Sequence, residues 1–187
     1  TPGKWPWQVL LQFTTDNFST MCGGTVIGKQ WVMTAGHCVN NKSTSEMEMF
    51  AGFTLFTDFK TEYTRKVVDA VVHPEYDDDE TTNDIAILKL DAPLVFDDVV
   101  AAICLPNPSQ SIVDDGLAVI TGFGRLGVEI NGTLTSVPQE NPQLHEAIVP
   151  IVPPEVCKEL WSLEHPEKAN EFPEKWSKKK VVCASSL

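Results

Sequence analysis

The sequence is short of positive charge and has no long hydrophobic run. Its 187 residues include 14 Lys and Arg against 26 Asp and Glu, which gives a formal net charge of −12. An acidic balance of this size repels phosphate backbones and argues against nucleic acid as a partner. No segment approaches the roughly 18 consecutive apolar residues of a membrane-spanning helix, so we expect no membrane partner.

Metal-binding patterns are missing as well. The five cysteines form no Cys-x-x-Cys pair, and no histidine lies at zinc-finger spacing from them, so we expect neither a metal nor a cofactor. The acidic run Asp77-Asp78-Asp79-Glu80 lacks the spaced ligands and the glycine of a calcium loop. We interpret it as a solvated turn rather than as a calcium site.

A signal peptide is not visible at the N-terminus, so an export signal would have to precede residue 1. Other features favour an oxidising, extracellular compartment. The chain has five cysteines, and glycosylation sequons begin at Asn17, Asn41 and Asn131. We therefore expect a secreted protein with disulfide bonds, in which N-glycans on these asparagines are possible.

Short runs of β-branched and aromatic residues alternate with Pro, Gly, Asn and Asp clusters along most of the chain. This rhythm predicts an all-β sandwich or barrel. One short amphipathic helix is predicted from Pro154 to Trp161, where proline and an acidic residue occupy the first turn. The predicted strands are Trp7 to Phe13, Gly24 to Thr34, Val67 to His73, Ile85 to Leu90, Leu117 to Thr121 and Leu144 to Val152.

A proline-bearing stretch from Asp91 to Asp115 has the composition of a linker that crosses a domain face. It predicts an N-terminal unit over residues 1–95, a linker over 96–115 and a C-terminal unit over 116–187.

Two polar residues next to apolar strands are candidates for chemistry. His37 follows the run Trp31-Val32-Met33-Thr34, and Cys22 lies 16 residues ahead of Cys38, so a disulfide between them would restrain the loop that carries the imidazole. Asp84 opens the apolar segment after Asn83. A histidine at a strand end is often structural, and an aspartate there often caps the strand, so the residues alone leave both roles open.

Several motifs, taken in order, closely resemble the chymotrypsin/trypsin-like serine protease family. The histidine and aspartate motifs are highly specific in combination, and the similarity covers nearly the whole chain. The matching segments are Trp5-Pro6-Trp7-Gln8-Val9, Cys22-Gly23-Gly24-Thr25, Thr34-Ala35-Gly36-His37-Cys38, Asn83-Asp84-Ile85-Ala86, Cys104-Leu105-Pro106, Thr121-Gly122-Phe123-Gly124 and Val149-Pro150-Ile151-Val152.

The resemblance implies two antiparallel β-barrels, the second truncated, with His37 as general base and Asp84 as the carboxylate that orients it. His37 and Asp84 would belong to the N-terminal barrel. It also implies disulfides between Cys22 and Cys38 and between Cys157 and Cys183. Cys104 matches a position that, in many members, bonds to a propeptide or an upstream light chain, which would explain the odd count.

The sequence also departs from the family pattern. The Gly-Asp-Ser-Gly-Gly motif of the nucleophile is missing, because Ser185 and Ser186 have no flanking glycines and lie too close to Cys183. Gly36 replaces a common alanine, which we interpret as a tolerated variant.

The predicted function is that of a secreted serine endopeptidase domain that acts on protein or peptide substrates and can bind protease inhibitors. Its serine-bearing part is not in this sequence, so the chain alone should be inactive. One alternative is a non-catalytic homologue that acts as a binding or regulatory module. Another is a truncated product without a stable fold.

Overall fold

The structure of the chain is a computed structural model. It describes residues 1–15, 19–79, 82–107, 116–130, 133–137, 142–164, 166 and 183–184. The predicted sites Asn17 and Asn131 lie outside the described residues, as do Glu80 of the acidic run and the side chain of Cys183.

Six antiparallel strands within the described residues close into a barrel. Each strand pairs with two neighbours, in the order β1-β2-β3-β6-β5-β4 and back to β1, which leaves no free edge. The all-β fold class predicted from the sequence is confirmed. The strands are β1 (Gln8–Thr14), β2 (Ser19–Gly28), β3 (Trp31–Thr34), β4 (Met47–Ala51), β5 (Thr64–Val72) and β6 (Ala86–Leu90).

Alternate side chains of β1 contribute to two buried clusters, one inside the barrel and one outside it. Val9, Leu11 and Phe13 of β1 point into the barrel core, as the two-residue period of a strand requires. Leu10, which lies between them, faces the other way and packs in a second buried cluster with Phe50 and Phe53. Strand β1 is therefore buried on both faces along its apolar centre, Val9-Leu10-Leu11.

Short helical turns connect the barrel strands. The α-helix α1 (Gly36–Val39) follows β3 directly, and 3₁₀ turns span Thr44–Glu46, Phe56–Asp58 and Thr61–Tyr63.

Aromatic rings organise the connection between β4 and β5. Phe50 contacts Phe56 and Phe59 at ring-centroid distances of 5.4 and 5.0 Å, and Phe53 stacks on Phe123 at 4.8 Å. Edge-to-face and offset stacked rings stabilise each other beyond simple burial. This connection is therefore held by apolar contacts.

The remaining described elements form smaller sheets and a helix. Strands β7 (Leu117–Gly122), β10 (His145–Val152) and β11 (Cys183–Ala184) make a three-stranded sheet in the order β11-β10-β7. Strands β8 (Leu126–Ile130) and β9 (Thr133–Val137) pair with each other, and helix α2 spans Pro154–Glu164. None of the helices in the described part of the chain has the length and apolar character to cross a membrane.

Contacts divide the chain into two compact units. The first contains Thr1–Leu105 with Thr121–His145, and the second contains Pro106–Ile120 with Glu146–Leu187. The boundaries inferred from the sequence, at residues 95 and 116, remain a prediction.

Strand positions agree with the sequence prediction at several points and differ at others. The predicted run from Gly24 to Thr34 is two strands, since β2 ends at Gly28 and β3 begins at Trp31. Strands β4, β8, β9 and β11 have no counterpart in the prediction. For β4 the reason is that Met47-Glu48-Met49-Phe50-Ala51 lacks β-branched residues. Helix α2 begins at the predicted Pro154 and continues to Glu164, three residues past the predicted end.

Candidate active site

The pairing of strands β3 and β6 positions the two candidate residues. These strands run antiparallel with Thr34 opposite Ala86. The chain that leaves β3 therefore emerges at the same barrel end where the chain enters β6. Because His37 follows Thr34 by three residues and Asp84 precedes Ala86 by two, residues far apart in sequence meet at this end.

His37 and Asp84 form a hydrogen-bonded pair. The Nδ1 atom of His37 lies 2.7 Å from Oδ2 of Asp84, and the backbone N–H of His37 donates to Oδ1 of the same carboxylate at 2.8 Å. The His37 side chain is 55% exposed, whereas that of Asp84 is 21% exposed. Asp84 thus engages one ring nitrogen, and more than half of the His37 side chain stays exposed to solvent.

The environment of Asp84 favours its charged form. Partial burial is the largest single influence and acts to raise the pKa. It is outweighed by hydrogen bonds from the His37 backbone and ring and from the Gly36 backbone, which together hold the pKa of Asp84 below its ordinary value. An ionised carboxylate in this position can orient the imidazole and stabilise its protonated form.

A disulfide joins Cys22 on β2 to Cys38 on α1, directly beside the histidine. The second ring nitrogen of His37, Nε2, lies 3.5 Å from the Cys38 sulfur. Ligand atoms of Cys22, His37 and Cys38 are within 4.8 Å of one another, but the two sulfurs are bonded to each other and offer no thiolate to a metal.

Asn83 was not singled out by the sequence analysis except as part of a motif, yet it shapes the approach to Asp84. It adopts a positive φ of 53°, a left-handed conformation that asparagine tolerates better than most residues. The side-chain amide of Asn83 donates to the Glu75 carbonyl at 2.7 Å, and the backbone carbonyl of Asn83 accepts from the Ile85 N–H at 2.8 Å. The asparagine itself was the available signal, because asparagine adopts a positive φ more readily than most residues.

The remaining predicted site residues have varied surroundings. Cys104 is exposed and free, and Cys157 is disulfide-bonded. The pairing of Cys157 with Cys183 remains a prediction, because the Cys183 side chain lies outside the described residues. Asn41 is exposed and adopts a φ of 58° just after α1.

Comparisons with known proteins agree on one family. A family model described as "Trypsin" matches residues 1–186. Serine proteinase stubble of Drosophila melanogaster is 37% identical over 165 residues, which cover 85% of this chain and 20% of that protein. Serine protease filzig of the same species is 35% identical over 166 residues, covering 86% and 9%. Coagulation factor XI of Bos taurus is 32% identical over 160 residues, covering 83% and 24%.

The chain thus spans no more than 24% of the length of these curated relatives. A solved structure described as "Structure of GrC" superposes with a TM-score of 0.75 at 22% sequence identity. The match covers 100% of this chain and 73% of that one. At this identity the similarity concerns the fold.

Proposed function

This chain belongs to the trypsin-like serine protease family, and from that premise we propose that it carries the base and orienting carboxylate of a secreted serine endopeptidase. The observation that supports this most directly is the 2.7 Å contact between His37 Nδ1 and Asp84 Oδ2. It leaves Nε2 as the nitrogen available for proton transfer. Disulfide-bonded Cys38 directly follows His37 and restrains the backbone beside it.

In the proposed reaction, Nε2 of His37 accepts the proton of a serine hydroxyl as its oxygen attacks a peptide carbonyl. The same nitrogen then delivers the proton to the leaving amine. Asp84 accepts a hydrogen bond from Nδ1–H throughout, so the ring stays in the tautomer that has a free lone pair on Nε2. The carboxylate also stabilises the imidazolium that forms between the two steps.

We propose that the nucleophilic serine comes from a further segment that is not in this sequence. Ser185 and Ser186 lack the flanking glycines of the family motif. In the three-stranded sheet, Leu117 and Ile148 are 74% and 70% exposed, an arrangement suited to cover by additional chain. Without it, the 187 residues should form no acyl-enzyme.

The proposed partners are protein or peptide substrates, protease inhibitors and a covalently attached upstream chain. Cys104 supports the last of these, because its thiol is exposed and free. A light chain or propeptide bonded there would pair the odd cysteine. The relatives are far longer than this chain, so each of them has further regions beyond the matched part.

Export through the secretory pathway would also allow N-glycosylation. Asn41 opens the sequon Asn41-Lys42-Ser43, is exposed, and lies in a turn. We propose it as a glycan acceptor, together with Asn17 and Asn131 by sequence.

The proposal is tested by reading the coding sequence past Leu187 and then measuring peptide hydrolysis by the extended domain. A Gly-Asp-Ser-Gly-Gly motif is expected. Asp84→Asn should then lower kcat by about 10⁴-fold, the loss known for this change in a Ser-His-Asp protease. His145→Ala, which removes an exposed histidine of β10, is the matched control and should leave kcat unchanged.

Two outcomes would count against an enzyme. Another residue at the serine position would favour the non-catalytic homologue, and full activity in the Asp84→Asn variant would remove Asp84 from the mechanism.

A further inference from the structure

Gly36 lies at a crowded point between a tyrosine ring and the Asp84 carboxylate. A Cβ atom added to Gly36 would lie 3.2 Å from Cδ2 and 3.3 Å from Cγ of Tyr76, and 3.3 Å from Oδ1 of Asp84. These distances are shorter than ordinary van der Waals contacts. The Tyr76 ring and the carboxylate therefore flank the small space that the glycine leaves open.

Tyr76 is held in this place by bonds at both of its ends. Its backbone N–H donates to the His73 carbonyl at 2.9 Å, and the His73 N–H in turn donates to Ile85, next to Asp84, at 3.0 Å. Its hydroxyl donates to the Asp78 carboxylate. This hydrogen bond is the largest cause that raises the pKa of Tyr76 to about 12, and the nearby charge of Asp84 adds to the shift.

The loop that carries Tyr76 is tied back to Asp84 a second time. Asn83, the residue before Asp84, donates its side-chain amide to Glu75, the residue before Tyr76, at 2.7 Å. Asp77 and Thr82 exchange backbone hydrogen bonds at 3.0 and 3.2 Å. The loop that carries Tyr76 is therefore bonded to the residues on both sides of Asp84, namely Asn83 and Ile85.

We propose that Tyr76 is a positioning residue for the His37–Asp84 pair. Its ring covers the backbone at Gly36, and so keeps water from competing for the N–H groups of Gly36 and His37 that donate to Asp84. The absence of a side chain at Gly36 is what lets the ring approach this closely. The hydroxyl serves only to anchor the ring through Asp78. This inference rests on the proposed function and deepens it, because it concerns how the same pair is positioned.

The test is to measure hydrogen exchange on the 187-residue chain by NMR. Two protons of His37 are observed, the backbone N–H and the ring Nδ1–H. Tyr76→Ala should speed exchange of both by about tenfold, since water then competes more freely for these N–H groups. Tyr76→Phe keeps the ring and should leave both rates within about twofold of the parent. Phe59→Ala, which removes a partly exposed ring from another loop, is the matched control and should leave them unchanged.

A purely structural role for Tyr76 would give a different pattern. The N–H of Leu11, in the barrel core, reports global opening and should exchange at the parental rate in Tyr76→Ala. Equal acceleration at Leu11 and His37, or no acceleration at His37, would overturn the inference. Gly36→Ala should have a smaller effect than Tyr76→Ala and add nothing to it, and additive effects would contradict the pairing.

The outcomes separate this inference from the proposed function. If the Nδ1–H signal of His37 shows no hydrogen bond to Asp84 in the parent chain, the proposed function fails. If that bond is present and insensitive to Tyr76→Ala, only the inference fails.

Discussion

In the six-stranded barrel, Val9, Leu11 and Leu88 are completely buried, whereas Leu117 and Ile148 of the three-stranded sheet are 74% and 70% exposed. Both regions are built from short apolar strands of similar composition. The difference is closure, because the barrel strands surround a common interior and the described strands of the sheet do not. Apolar content therefore does not by itself produce a core, and the His37–Asp84 pair lies at the end of the region that closes.

The largest effect expected from this comparison is the loss of stability when a core side chain is truncated. Leu88→Ala should lower the free energy of unfolding by about 2–5 kcal/mol, because it leaves a cavity in the closed barrel. Ile148→Ala, on the exposed sheet, should change it by no more than about 0.5 kcal/mol. Urea unfolding followed by fluorescence measures both. Equal losses would mean that the two regions are packed alike.

Removing the disulfide beside the histidine should have the next largest effect. The bond joins residues separated by 16 positions, so replacing both Cys22 and Cys38 by alanine should lower barrel stability by about 3 kcal/mol. Cys104→Ala is the control, since that cysteine is exposed and free. Thermal unfolding of the three proteins checks the prediction, which is contradicted if the control is destabilised as much as the double variant.

The smallest expected effect is a loss of barrel stability at acid pH, which depends on two carboxylates of the barrel region. The pKa of Asp97 is lowered, mainly by a hydrogen bond from the Tyr63 hydroxyl and also by one from the Val99 N–H. The pKa of Asp84 is lowered as well, although its partial burial acts in the opposite direction. Because both folded-state pKa values lie below the ordinary 3.8, the stability they contribute is complete above that value. It is lost as the pH falls through the lower folded-state values.

Unfolding measured between neutral pH and pH 2 tests this directly. Asp84→Asn and Asp97→Asn should each flatten the loss of barrel stability below an ordinary carboxyl pKa of about 3.9. Asp69→Asn, in the same barrel, serves as the control. An unchanged pH profile in both variants would show that these carboxylates do not set the acid limit.

The sequence was sufficient for much of the barrel. Runs with β-branched residues, such as Gly24 to Thr34 and Ile85 to Leu90, were predicted as strands and contain β2, β3 and β6 in part or whole. Strand β4 was missed, since its methionines carry no strand signal of their own and are buried only because β1 and β5 flank them. Tertiary pairing decided this element.

The candidate site was predictable only in part. Chemistry pointed to His37 and Asp84 as candidates, and the resemblance to a family assigned their roles. Their contact depends on the register of β3 and β6, which no local pattern specifies. The closeness of Tyr76 to Gly36 had no signal in the sequence, because it arises where two loops converge.

The Thr34–Ala86 register has a consequence for how such a domain can diversify. The pair depends on two adjacent strands inside a closed barrel, so the connections over residues 40–46 and 53–63 can change in length without moving either functional group. Insertions there would alter what an incoming polypeptide touches while the proton-transfer geometry stays constant. One scaffold could in this way acquire new preferences by loop exchange alone.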